Sequence, residues 1–161
     1  MRLFAYNKPK GEEAVEAVYK NPETGDEVKV YPASKMAPDD QGLVIYTDDA
    51  SQVEAVKAIA DEAEMECHVD ADKHLNVPII HQIRTGIDGV SPACRVSWTE
   101  ANAVVINLKP CRRKELDAIF ANFDCKVELV KRYRVANLKI KKTPLGEFEE
   151  YSEDEVKAFL G

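Results

Sequence analysis

No stretch of this 161-residue chain stays apolar for the roughly 18 residues that a membrane-spanning helix needs, so no membrane partner is expected. Its opening, MRLFAYNKPKG, lacks the apolar core and small-residue cleavage site of a secretory signal. Cysteine is sparse: Cys67, Cys94, Cys111 and Cys125 are scattered, with no CxxC pair. That spacing excludes a recognisable zinc ribbon and argues against a disulfide framework, so a reduced, cytoplasmic setting is expected. Histidine is scarce as well. His68, His74 and His81 with Cys67 form no metal-ligand spacing. Lys10 and Gly11 lack the GxxxxGK[ST] context of a phosphate loop. Neither a metal nor a cofactor is therefore expected. There is no internal repeat, low-complexity run or linker, which makes residues 1–161 a single domain, of two fused lobes at most.

What is present is an ordinary globular composition, 45% hydrophobic and 32% charged, with an uneven charge distribution. Net charge is −7, yet residues 109–143 hold eleven Lys and Arg against four acids. That sector carries +7 and leaves −14 for the remainder. An acidic molecule with one basic sector can hold phosphates there while repelling them elsewhere. The same distribution suits a solvated basic surface, or a protein partner for the acidic remainder.

Residues 2–6 (RLFAY) predict a strand and NKPKG a turn, and residues 12–19 (EEAVEAVY) have helical spacing. EVKVY alternates as a strand. A polar loop at 38–42 leads into an apolar strand over 43–47. Ser51 starts a helix running to about residue 64, and a strand follows at 66–69. A short helix over 77–84 ends at Gly86. Residues 94–98 and 104–108 form a hairpin, and 112–122 a helix. Residues 126–130 and 133–140 are read as two strands. Ser152 with Glu155 makes a capping box for the last helix. Interleaved strands, helices and short links define an α+β class with a largely antiparallel sheet. Trp98 and Phe123 read as core residues. Tyr133, among Lys131, Arg132 and Arg134, suits either base stacking or packing on its own sheet.

Four segments, in order, resemble one family. Residues 6–11 (YNKPKG) are similar to its NKPxG entry motif. Residues 34–49 (SKMAPDDQGLVIYTDD) look like its GRLDxxTxGLLLLTND segment. Residues 83–96 (IRTGIDGVSPACRV) match LRxGVxIDGxxxxPAxV. Residues 123–148, with PLGE at 144–147, resemble the family's closing FGYxVxxLxRxRIxxLxLxxxPxGEW region. The family is the RsuA/RluF-like ribosomal RNA pseudouridine synthases. The resemblance implies a pseudouridine synthase core: a mainly antiparallel sheet with flanking helices and a central cleft for a uridine lifted out of ribosomal RNA. Because the NKP strand begins at residue 2, it implies a member without the small RNA-binding domain that often precedes that strand.

The resemblance also implies a loss of chemistry. The family isomerises uridine with an aspartate carboxylate, and that position falls on Ala37. A methyl group neither attacks carbon nor carries a proton. The arginine nearby becomes Lys35, which keeps charge without the bidentate fork. In the KxYxV strand the tyrosine position is Cys67. The RQxRR helix start becomes Lys114 to Ala118, with Lys114, Asp117 and Ala118 at the three arginine positions; Arg112 and Arg113 lie just upstream. An inactive member that binds structured, ribosomal RNA, through Lys8, Lys10, Lys35, Arg112, Arg113, Lys114, Lys131, Arg132 and Arg134, or that acts as a subunit of a ribonucleoprotein, is the expected reading. An active synthase would need Asp39 or Asp40 as its carboxylate, although a polar turn explains both residues. A protein-interaction module is the third class. Cys67 and His68 are not a nucleophile–base pair, because neighbours on a strand point to opposite faces.

Overall fold

Two of the strands are apolar on both faces, and this organises the architecture. The structure, a computed structural model, describes residues 1–161. In β1 (Leu3–Lys8) and β4 (Gln41–Thr47), paired antiparallel from Leu3↔Thr47 to Lys8↔Gly42, Leu3, Ala5, Leu43 and Ile45 face a large core. Phe4, Tyr6, Val44 and Tyr46 face a smaller aromatic one. Strands buried on both sides read as continuous apolar runs, as these do. The second core is closed by β2 (Ala17–Lys20) and β3 (Glu27–Pro32), a hairpin that brings Tyr19 and Val30 over Phe4 and Tyr46.

The main sheet continues through β5 (Met65–Ala71), β6 (Arg95–Glu100), β7 (Ala103–Leu108), β8 (Val127–Val135), the short β9 (Leu138–Lys139) and β10 (Phe148–Glu150). Its order is β10-β1-β4-β8-β5-β7-β6. Every pairing is antiparallel except the short parallel join of β4 to β8, Gln41↔Lys131 and Gly42↔Arg132. Four helices flank it: α1 (Val53–Asp61), α2 (Val77–Thr85), α3 (Arg113–Ala121) and α4 (Glu153–Leu160). Each contributes a buried apolar stripe to the large core, for example Leu116, Ile119 and Phe120 from α3. The expected α+β class with a mainly antiparallel sheet is what the chain adopts.

Three local expectations are corrected. Residues 12–16 are not helical, and 17–20 form β2. Side chains of β1 and β4 hold this segment extended: Tyr46 Oη donates to the Val15 carbonyl, Tyr6 Oη donates to the Glu12 carboxylate, and Lys8 Nζ donates to the Glu12 carbonyl. Residues 127–135 form one strand instead of two, and the chain reverses after it at Ala136, whose φ is +51°. Trp98 is not a core residue. It is 43% exposed near the free edge of the sheet, with Nε1 donating to the Leu75 carbonyl.

Candidate functional site

A cavity of about 490 Å³ opens where the loop at residues 34–40 meets β5, β8 and the start of α3. Its floor is Met65 and Cys67 of β5 with Val130 and Arg132 of β8. One wall is Ser34, Lys35, Met36, Ala37 and Asp40. The other is Cys111 to Lys114 with Leu116, and Lys57, Ala60 and Asp61 of α1 form the rim. This is the cleft expected between the 34–42 loop and the strand holding Cys67. Six basic and two acidic side chains line it, so an acidic protein presents a net-positive cavity.

Arg132 builds the floor. It is buried, its Nε donates to the Leu43 carbonyl (2.8 Å), Nη1 to the Lys35 carbonyl (2.8 Å) and Nη2 to Ser34 Oγ (3.2 Å). One guanidinium thus ties both ends of the 34–43 loop to β8. Gly42 permits the approach: with φ of +110°, a Cβ there would lie 2.2 Å from the Arg132 carbonyl oxygen. Lys8 braces the same loop from behind. Its ammonium is fully buried and donates to the carbonyls of Pro9, Glu12 and Pro38.

The carboxylate that reaches the cavity is Asp40. Asp39 is exposed, whereas Asp40 is 6% exposed and pairs with Arg113 Nη1. Burial pushes the Asp40 carboxyl above its usual range, opposed by Arg113 and, more weakly, by Arg132 and Lys8. Ala37 carries a methyl group on the same wall, and its carbonyl accepts from the Asp40 N–H within the turn. The polar turn and the buried carboxylate therefore coexist in one short loop.

The start of α3 supplies the guanidinium groups. Arg113, at the first helical position, also donates from Nε to Asp117 Oδ1 (3.0 Å) and from Nη2 to the Val127 carbonyl (3.3 Å). Arg112 is held by Glu115, whose carboxylate accepts from the Arg112 N–H and side chain, and by Asp61 at 3.4 Å. Asp117 is an exposed partner of Arg113 and does not line the cavity.

The expected RNA-contacting residues divide accordingly. Lys35, Arg112, Arg113, Lys114 and Arg132 come together at the cavity; Lys8, Lys10, Lys131 and Arg134 do not line it. Lys8 and Arg132 are buried anchors of the fold: all three Lys8 donors and most of those of Arg132 are taken by the protein's own acceptors. A bulge opposite Glu66 and Cys67 sets Cys67 against Arg132, but His68 against Lys131 and Glu66 against Arg134. Lys131 and Arg134 therefore belong to the other face of the sheet, where Arg134 bonds Glu64 and Asn107. Tyr133 lies there as well, its ring centroid 4.2 Å from that of His68. Lys57, Asp61 and Cys111 were absent from the expected site. The i, i+4 spacing of Lys57 and Asp61 on α1 was a usable signal that they share a helix face; Cys111 offered none.

No protein-family model matches the chain. Among curated proteins, the dual-specificity RNA pseudouridine synthase RluF of Escherichia coli strain K12 is 24% identical over 131 residues, covering 80% of this chain and 45% of that protein. RluF of Salmonella typhi matches with the same identity and coverage. The chain thus spans about half the length of the curated relatives it matches. A crystal structure of a pseudouridylate synthase superposes with a TM-score of 0.74 at 17% identity, covering 98% of this chain and 73% of that one. A chain of the archaeal box H/ACA sRNP Nop10–Cbf5 complex superposes with a TM-score of 0.51 at 11% identity, covering 88% of this chain and 50% of that one. The fold is that of the pseudouridine synthases. In sequence, the chain is similar to the RluF pseudouridine synthases, at 24% identity. No helix is long and apolar enough to cross a membrane.

Proposed function

We propose that the chain binds structured RNA, ribosomal RNA in the first instance, by admitting an unstacked nucleotide to the net-positive cavity, and that it does not isomerise uridine there. The observation that carries this reading is the state of the two loop positions. Ala37 offers no functional group, and the carboxylate that does enter, Asp40, is held by Arg113 among a further pair of cations. A carboxylate committed to an ion pair must give up that partner before it attacks carbon or moves a proton. Phosphates would meet Lys35, Lys57, Arg112 and Lys114 at the mouth. The names of the curated relatives and of the solved structures support an RNA substrate class.

Incubation with ribosomal RNA fragments, followed by mass-spectrometric nucleoside analysis, should yield no pseudouridine above the protein-free control. Ala37→Asp alone should not create activity, since Cys67 and Asp117 still occupy the other altered positions. A second reading, an active synthase using Asp40, is favoured by the burial of that carboxylate in the cavity. Turnover by the wild type that vanishes in a folded Asp40→Asn variant would establish it instead. Absence of RNA binding at low salt would overturn the RNA reading and leave a protein-interaction module.

A further inference from the structure

Two thiols lie side by side in the cavity, and the proposed RNA-binding role uses neither. Cys67 is 1% exposed and Cys111 4% exposed, and both line the cavity. Their sulfurs are 3.7 Å apart, with Cys111 Sγ–H donating to Cys67 Sγ. The Arg132 guanidinium lies close enough to favour the thiolate form of either one. Cys94 and Cys125 are placed differently, each bonded to a backbone carbonyl, of Ile83 and Phe123 respectively.

We propose that Cys67 and Cys111 are a redox-active dithiol, a modification site that a hydroperoxide entering the cavity converts to an intramolecular disulfide. Cys67 is fixed in β5, paired on both sides to β7 and β8, at Ile106 and Arg132. Cys111 sits in the connection between β7 and α3, which is free of sheet pairing. From 3.7 Å, reaching an S–S bond of about 2.05 Å requires the sulfurs to close by roughly 1.7 Å. The connecting segment can supply that movement. The hydrogen bond from Cys111 holds the Cys67 thiol below its ordinary value and pushes that of Cys111 up, which makes Cys67 the attacking sulfur. The Cys67 thiolate attacks one peroxide oxygen; the O–O bond breaks, Cys67 becomes a sulfenic acid, and the departing oxygen leaves as water or an alcohol after taking up the Cys67 proton. Cys111 then attacks the sulfenic sulfur; the S–O bond breaks, the S–S bond forms, and hydroxide leaves as water with the Cys111 proton. Both thiols are oxidised together and one peroxide is reduced. The product would tie the cavity floor directly to the segment that carries Arg112 and Arg113.

Treatment of the folded chain with hydrogen peroxide, alkylation of residual thiols and non-reducing peptide mapping test this. The expected result is a loss of about 2 Da with a peptide pair linking Cys67 to Cys111, reversed by dithiothreitol, while Cys94 and Cys125 are recovered alkylated. In Cys111→Ser, Cys67 should be trapped by dimedone as the sulfenic acid. The wild-type map identifies the linked pair even where that variant fails to fold. Recovery of Cys67 and Cys111 as free thiols, or a link through Cys94 or Cys125, would overturn the proposal.

Discussion

Asp40 carries one negative charge among Lys8, Arg113 and Arg132, so the cost of removing it lies in the cations it leaves behind. Asp40→Ala should lower stability by about 2–3 kcal/mol, less than a fully buried pair because Arg113 remains partly solvated. Urea denaturation monitored by circular dichroism measures this, and Asp40→Asn should lose less because it keeps a hydrogen-bond acceptor. A second prediction concerns His68, on the opposite face of the sheet against Tyr133. Burial lowers its pKa, opposed by Glu66 and Asp70 and reinforced by Lys131. In the window between the depressed folded value and the ordinary one near 6.5, the unfolded chain binds the proton first. Stability contributed by the neutral ring is therefore present above that window and lost as pH falls through it. The wild type should lose more stability than His68→Gln between about pH 7 and pH 5, a difference read from urea midpoints across pH.

At the scale of elements, the parallel join between β4 and β8 sets the geometry of the site, and Gly42 sets the join. A methyl group there would strike the Arg132 backbone at a φ that other residues rarely adopt. Gly42→Ala should therefore cost about 3 kcal/mol or more, and amide exchange should rise selectively across residues 34–43. Uniform loss of protection over the whole sheet would show that the join has no special role. Strand β8 also separates Lys131 and Arg134 from Arg132, three residues expected together as RNA contacts. Strand alternation would already separate Arg132 from its neighbours, but the bulge that also moves Arg134 away from Arg132's face depends on pairing with β5 and is not written in β8 alone.

For the whole molecule, the charge argument shifts from a stretch of sequence to a surface in space. The +7 sector at 109–143 is divided between two faces of the sheet, and the cavity draws Lys35 and Lys57 from outside it. RNA affinity should fall with salt, at roughly 0.7 log units per log unit for each phosphate contact on a single strand. Lys35→Glu with Lys114→Glu, both exposed at the cavity, should flatten that slope by about 1.4. Lys131→Glu, on the far face, should leave it unchanged. A filter-binding titration over salt separates these outcomes, and equal effects from all three positions would remove the cavity from the RNA reading. If the chain binds RNA as proposed, the acidic remainder should keep absolute affinity modest.

Much of this protein was legible in the order of its residues. The α+β class, the paired strands of 95–100 and 103–108, the helices over 53–61, 77–85 and 113–121, and the capping box at Ser152 and Glu155 follow from periodicity and local hydrogen bonding. Tertiary structure decided the rest. It drew residues 12–20 out of a helical pattern, because side chains of β1 and β4 bond that segment's own backbone. It turned Asp40 inward and Asp39 outward, which depends on Arg113 lying 73 residues away. It also set Cys111 beside Cys67 across 44 residues of sequence. Periodicity reports which side of an element is buried; it carries no information about which distant side chain arrives there, since that is fixed by sheet register and loop closure.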